Sequence, residues 1–384
     1  MRRALFTDDH ERYREVVREF MIREVVPNYG QWETDRLIPR EVLVTAAKQG
    51  IYGLGIPENY GGPGETDYRF RVVVAEELSR AHAPSLGVTL ALQDDMVLRY
   101  LLGLCTDEQK QRWLPRFATG EVIGALAMTE PGAGSDLKGI RTTAVRDGDD
   151  WILNGQKTFI SSGITADLVI VAARTDPEGG SRGFTLFVVE SGMPGFERGR
   201  KLDKMGLACQ DTAELFFDQV RVSKANLLGE LGGGLRHMMS HLVSERLGAT
   251  VSGLSGARAI FEEAREYCFE RRAFGQPIGD FQHVRFELAE MQTAMDVAEA
   301  FMDRMVLAFS AGELTAVDAA KGKWWLTELQ KNVVDRCLQL FGGYGYMTEY
   351  PVARAYVDTR IQTIYGGTTA IMKEIIGRDL AGHR

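Results

Sequence analysis

Apolar positions along the chain change period twice, and the changes divide it into three segments. From about residue 8 to 120 the spacing is helical. "DDHERYREVVREFMIREVV" brings apolar residues round every three to four positions, and "YRFRVVVAEELSRA" and "DEQKQRWLPRFATG" continue the style. Pro27, Pro39, Pro57 and Pro63, with Gly61 and Gly62, punctuate this segment into short helices. Asp8 and Glu11 suggest a helix N-terminus near its start. Between roughly 122 and 230 short β-branched or aromatic runs replace the helical pattern, among them "LVIVAART", "GFTLFVVE" and "AELFFDQVRV". Turn pairs such as Asp147-Gly148, Asn154-Gly155 and Pro194-Gly195 separate them and predict a small antiparallel β unit. From about 232 long helical patterns return, starting at "RHMMSHLVSERLGATVSG", at "FQHVRFELAEMQ" and at "TAVDAAKGKWWLTELQ". Their length and alanine content suit close-packed antiparallel helices.

The expected fold is therefore α+β: an N-terminal helical domain (1–121), a middle antiparallel β domain (122–231) and a C-terminal four-helix-bundle domain (232–384). Strands do not alternate with helices, which argues against a dinucleotide-binding Rossmann unit.

Composition narrows the function classes. The net charge is −8 and no Lys/Arg block stands out, so a nucleic-acid binder is not expected. No run of eighteen apolar residues predicts a membrane span. The opening "MRRALFTDDHERYREVV" carries no apolar core of a secretory signal. Cys105, Cys209, Cys268 and Cys337 are far apart, which excludes the usual zinc and dithiol spacings and fits a reducing compartment. A cytoplasmic protein is expected; a mitochondrial matrix location after removal of a transit peptide fits the same facts.

Four stretches ask for more than a fold. "MTEPGAGSDL" (128–137) is a glycine-rich turn whose backbone amides and hydroxyls allow close approach of a ligand, although an ordinary turn explains the same residues. It is neither a P-loop nor G-x-G-x-x-G. In "RRAFGQPIGDFQ", Arg271 has the chemistry to clamp a phosphate and Gln282 to bond a ligand edge, where the plainer reading is a solvated helix–helix loop. "FGGYGYMTEYP" places aromatics on flexible backbone after a helix, as a plain C-cap also would. His237 and His241 have chelating i,i+4 spacing, yet lack the Glu of H-E-x-x-H and a third ligand, so no metal is expected. Neither G-x-S-x-G nor a catalytic Cys/His signature is present.

Taken in order and register, "MTEPGAGSDL", "RRAFGQPIGDFQ", "QLFGGYGYMTEYPVARAYVDTRI" and "IYGGTTAIMKEIIGRDL" resemble the acyl-CoA dehydrogenase family along essentially the whole chain. The resemblance implies FAD between the β unit and the C-terminal helices, an acyl-CoA substrate, a trans-2-enoyl-CoA product and an electron-transferring flavoprotein as acceptor. Leu126, Met128, Thr129, Gly134 and Ser135 resemble the strand and turn that touch the isoalloxazine, and Ser135 also the serine that meets the CoA arm. Phe159, Ile160 and Ser161 take the place of the family's "WIT" segment backing the ring. Arg271, with Phe274 beside it, and Gln282 resemble the residues that hold the far half of FAD from a neighbouring subunit. Gln339, Gly342 and Gly343 resemble "Q-x-x-G-G" at the cofactor's far end, and Thr368 the "GT" turn that also meets FAD. Ala370 stands where that turn usually carries Gln or Glu. Two chains building one site implies a homo-oligomer, at least a dimer and for this family usually a tetramer.

The reaction needs a base. A thioester α-proton is too weak an acid for water, and an aimed carboxylate typically contributes about 10²–10⁴-fold. Many family members carry it in "YEGT", where this chain has Gly366. The long-chain and isovaleryl branch instead resembles "SERLGATVSG", placing the base at Glu245 beside Arg246. The plain alternative for Glu245 is a solvated helix carboxylate paired on its own helix. Gly366, whose small size leaves room for that carboxylate and whose N–H takes the place of the family's oxyanion donor, is grouped with Glu245, Arg246 and Gly367 around the thioester. Val243 stands where several relatives have Asp. Acyl-CoA oxidases, other flavin oxidases, flavin monooxygenases and catalytically silent partner subunits share the architecture.

Overall fold

The computed structural model describes residues 3–382, in the predicted order of helices, sheet and helices. The first segment holds α1 (Asp8–Phe20), α2 (Val26–Asp35), α3 (Arg40–Lys48), α4 (Tyr68–Arg80), α5 (Pro84–Ala91), α6 (Leu98–Leu104) and α7 (Asp107–Ala118). Asp8, Asp9 and Glu11 fill the first turn of α1, where carboxylates complement the helix dipole. Two joints in this segment are π-helical turns, Met21–Val25 between α1 and α2 and Leu92–Val97 between α5 and α6. Such turns widen the backbone locally and often sit at functional sites. The second of them carries Asp94 and Asp95, both buried.

The sheet strands are β1 (Gly124–Ala127), β2 (Thr143–Asp147), β3 (Asp150–Ser161), β4 (Leu168–Arg174), β5 (Phe184–Glu190), β6 (Phe196–Lys201), β7 (Thr212–Val222) and β8 (Leu227–Leu228). They form one eight-stranded sheet in the order β6-β7-β3-β2-β4-β5-β8, with β1 added beside β4. The sheet is mixed, not purely antiparallel as the turn chemistry predicts. β1 runs parallel to β4 from the Gly124–Leu168 pair to the Ala127–Val171 pair, and β2 touches β4 in parallel at Thr143–Arg174. Turn residues report hairpins between neighbours in sequence; β1 reaches β4 across some forty residues and leaves no local signal. Both of these central strands are buried along their length, "GALA" and "LVIVAA", which is the composition of strands covered on both faces.

The last segment begins with α8 (Gly234–Glu270), then a short ribbon of β9 (Arg272–Ala273) and β10 (Gln276–Pro277). It continues with α9 (Gln282–Ser310), α10 (Ala316–Phe341), α11 (Pro351–Asp358) and α12 (Thr369–Leu380). α8, α9, α10 and α12 are the four helices of the expected bundle. α8 and α10 meet along much of their length, and small residues permit it. A Cβ at Gly253 would lie 3.4 Å from the Leu326 carbonyl oxygen, so the backbones approach to near contact. The core that α8, α9 and α10 share is aliphatic and sulfur-rich, with Leu247, Val251, Met291, Met302, Leu326 and Val333 buried. One charged residue interrupts the buried stripe of α10: Lys323, fully buried.

Candidate active site

Glu245 lies on α8 between Ser244 and Arg246, and three contacts fix that stretch of helix against the first segment. The Ser244 hydroxyl donates to the Asp95 carbonyl at 2.9 Å. The His241 ring stacks on Tyr100 at 4.3 Å, and its Nε2 lies 3.2 Å from the Arg99 carbonyl oxygen. The two histidines of "HMMSH" thus serve packing: His237 pairs with Glu230 at 2.7 Å and His241 with backbone. Among the described residues no group of three or more His, Cys, Asp or Glu side chains converges as a metal site.

The turn Gly366–Gly367 approaches Glu245 from the opposite wall. An ideal Cβ on Gly366 would lie 3.2 Å from Glu245 Oε1, and the glycine has φ +62. Both conditions favour glycine: the φ is left-handed, and a Cβ would crowd the Glu245 carboxylate. Cations hold the turn. Arg246 Nε donates to the Gly366 carbonyl at 3.3 Å, and Lys323 Nζ donates to the Gly367 carbonyl at 2.6 Å. Thr368 caps α12 through its hydroxyl, which accepts from Ile371 N–H at 3.3 Å, and Ala370 in the first turn of that helix is exposed.

This surrounding sets the electrostatics. Burial pushes the Glu245 carboxyl up to about 7, against the opposing pull of Arg246 and Lys323. Burial likewise pushes Lys323 down to about 8, opposed by Glu245. The phenols of Tyr100 and Tyr365 are held well above their ordinary value by burial and by the Glu245 charge, so they are neutral neighbours. A carboxylate poised near neutrality, aimed past a glycine, has the properties of a general base.

A second group of residues gathers at the end of β1 and in the middle of β3. Leu126 is buried, Met128 and Thr129 half-buried, and Gly134 and Ser135 exposed beyond the turn. Glu130 locks that turn to β3. Its carboxylate receives the backbone N–H groups of Arg141 and Thr142 and the buried Lys157 ammonium at 2.8 Å. Lys157 also donates to the Met128 carbonyl, and Thr158 N–H donates to the Thr129 carbonyl at 3.0 Å.

The Thr158–Thr129 bond closes a bulge in β3, where the register shifts between Lys157 and Ile160. Phe159 within the bulge and Ser162 just after it have φ 59 and 56, conformations rare outside glycine. Ile160 turns into the core, Ser161 is half-buried, and Phe159 stands 68% exposed. A strained backbone that presents an aromatic to solvent is a feature of ligand sites.

The third group lies at the far end of the helices. Arg271 follows α8, its guanidinium 5.6 Å from the Tyr344 ring, and shares a groove with Gly342 and Gly343. Gln339 is exposed on the last turn of α10, and Gln282 is exposed as the first residue of α9 rather than between the helices. Phe274, with φ 51, is 96% exposed. These residues fit the far half of a dinucleotide: a guanidinium with no ion pair among the described residues, an open glycine turn and exposed aromatic surface.

Comparison with known proteins agrees along the chain. Models of the acyl-CoA dehydrogenase N-terminal, middle and C-terminal domains match residues 7–121, 125–220 and 232–381. The chain belongs to the acyl-CoA dehydrogenase family. It is 45% identical to the long-chain specific acyl-CoA dehydrogenase of Sus scrofa mitochondria, covering 98% of this chain and 88% of that one. The Mus musculus counterpart is 46% identical over the same shares. A solved acyl-CoA dehydrogenase from Geobacillus kaustophilus superposes with a TM-score of 0.95 at 45% identity, covering 98% of both chains. The protein is accordingly an oxidoreductase of a flavoprotein family, and among its described residues no helix is long and apolar enough to cross a membrane.

Sequence reasoning missed three members of these sites. Lys323 occupies an otherwise uncharged buried stripe of α10, a signal legible from its helical period. Lys157 follows two exposed strand residues and gave none, because its partner Glu130 is 27 residues away. Arg71, with Asp94 and Asp95, forms a buried ion cluster beside α8 that the helical pattern alone did not single out.

Proposed function

We propose that Glu245 is the catalytic base of an FAD-dependent acyl-CoA dehydrogenation, taking the α-proton of a fatty or branched acyl-CoA thioester. The observation that carries this reading is the Glu245 carboxylate filling the space over Gly366, with its proton affinity raised to about 7. FAD, when bound, supplies the acceptor for the β-hydride. Leu126, Met128, Thr129, Gly134, Ser135 and Phe159–Ser161 would hold its flavin end. Arg271, Phe274, Gln282, Gln339, Gly342 and Gly343 would hold the far half, with Thr368 and Ala370 near the turn.

The chain's own residues divide the work on the thioester. Glu245 receives the proton on its carboxylate. Gly366 N–H is the donor for the thioester oxygen, where negative charge develops as the proton leaves. Arg246 and Lys323 fix the carbonyls of Gly366 and Gly367, and so orient that N–H. Their positive charges also oppose the rise in the Glu245 pKa, which keeps part of the base ionised at neutral pH.

The partners follow from the same reading. The exposed Phe274, Phe286 and Tyr346 suit burial against further copies of the chain, in a homo-oligomer that is tetrameric on family grounds. An electron-transferring flavoprotein is the expected acceptor. Four free, buried cysteines suit a reducing compartment such as the cytoplasm or the mitochondrial matrix.

Anaerobic mixing of purified protein with acyl-CoA tests the assignment. The wild type should bleach its flavin, whereas Glu245→Gln should stay yellow, still bind acyl-CoA and fail to bleach. Normal bleaching by the variant would remove Glu245 from the role.

A further inference from the structure

Beyond Glu245, one face of α8 continues through Gly248, Ser252 and Gly256, three, seven and eleven residues on. These positions line a cavity between α8 and the helices α4 and α5. Ala75, Leu78, Val88, Ala91, Val251 and Ile260 give it apolar walls, suited to an acyl chain running away from the base. His82, Arg354 and Asp358 interrupt them on other parts of the lining, and Arg71 and Asp95 do so beside Gly248.

Both are more than nine-tenths buried, and the hydrogen bonding of their cluster is incomplete. Arg71 Nε and Nη2 reach the Asp95 carboxylate at 3.4 and 3.2 Å. Arg71 Nη1 lies 3.3 Å from Asp94 Oδ2, close enough to attract, yet neither atom makes a hydrogen bond among the described residues. Asp94 Oδ1 is taken by Gly53 N–H at 2.9 Å. Gln330, 3% exposed, lines the same cavity, and its Oε1 is also unpartnered. Asp95 is close to the base along the helix: its Oδ2 would be 3.0 Å from a Cβ on Gly248, one turn beyond Glu245.

A plain alkyl chain would pack hydrocarbon against the Arg71–Asp95 pair and leave Arg71 Nη1 with its ion pair to Asp94 but no hydrogen bond, a costly state for a buried charged group. We propose that the preferred acyl group carries a hydroxyl a few carbons beyond the β-carbon, held by Arg71 on its oxygen and by Asp95 on its proton. A hydroxyl both accepts and donates, matching a guanidinium with one nitrogen lacking a hydrogen bond next to the Asp95 carboxylate. A carboxylate cannot donate a hydrogen bond to Asp95 and would meet its negative charge at the Arg71 position. An ammonium cannot accept from Arg71. The proposal rests on the acyl-CoA reading above and specifies its substrate.

The test compares chain-matched acyl-CoAs by kcat/KM and anaerobic bleaching: plain, terminally carboxylated, and hydroxylated at successive carbons beyond the β-carbon. One hydroxylated isomer should exceed the plain chain by at least about tenfold, since a site built to bond a hydroxyl rejects the analogue lacking it. The double variant Arg71→Met, Asp95→Leu replaces the pair by apolar groups, and should reverse that preference. Plain chains equal to or better than every hydroxylated isomer in the wild type would overturn the proposal while leaving the dehydrogenase reading intact. So would an unchanged ratio in a folded double variant; if that variant does not fold, the wild-type panel decides alone. Bleaching by no acyl-CoA at all would overturn the dehydrogenase reading and this proposal with it.

Discussion

The carboxylate of Glu245 closes on the place where a side chain on Gly366 would begin, with Oε1 3.2 Å from the position of its Cβ. A side chain at 366 and the Glu245 carboxylate therefore compete for one place, and the glycine leaves it to Glu245.

Replacing Gly366 tests that exclusion. Gly366→Ala places a Cβ against Glu245 at φ +62, a conformation costing L-residues roughly 1–2 kcal/mol. Gly366→Glu adds a second carboxylate to the same space. Both should lose kcat/KM, the Glu variant at least about tenfold. A large gain in activity from Gly366→Glu, measured beside wild type in the same assay, would count against the geometry described.

The pH profile should carry the signature of Glu245. The base works ionised, and burial raises its pKa to about 7, so kcat/KM should rise with pH through about 7 and then level off. Stability moves the other way. The folded carboxyl keeps its proton above the ordinary value of 4.5, so folding holds more protons than the unfolded chain between about 4.5 and 7. That contribution to stability is present at the acid end and is lost as pH rises through the folded pKa. Thermal unfolding of wild type and Glu245→Gln across this range reads the difference.

Lys323 acts on the base without being the base. Lys323→Met removes a positive charge near Glu245 and the bond to the Gly367 carbonyl. The pKa seen in kcat/KM should move up, with activity lowered most at neutral pH and partly recovered in alkali. A uniform loss at every pH would assign Lys323 to the turn's architecture alone.

The Glu130–Lys157 pair should matter for folding and for flavin retention. Lys157→Met leaves Glu130 buried without its cation, a change that typically costs about 3–5 kcal/mol. Calorimetry should show a lowered Tm and absorbance a lowered flavin content. Glu130→Gln keeps one of the two oxygens that accept the Arg141 and Thr142 N–H groups and leaves Lys157 buried without its anion, so it should lower Tm and flavin content as well.

Much of this was legible in the sequence, and the legible part has a common form. α8, α9 and α10 follow apolar periods long enough to be read without a partner. "SERL" and "IYGGT", some 120 residues apart, were paired through their resemblance to one branch of the family, and Glu245 and Gly366 do face each other. Where the reading fell short, the interaction is long-range. The parallel addition of β1 to β4 has no turn between them, and Lys157 finds Glu130 only through the bulge of β3.

The sequence by itself determined which residues are apolar, where helices and hairpins start and stop, and which chemical groups are available. Those are properties of neighbours along the chain, set by period and turn chemistry. Only the tertiary structure decided what each charge is for. Glu245 resembles any helix carboxylate until burial, Arg246, Lys323 and the empty side of Gly366 surround it. Arg71 resembles any helix arginine until Asp95 and a cavity meet it. Proton affinity and unmet hydrogen bonds depend on what lies within a few ångströms in space, and the folded chain alone sets that.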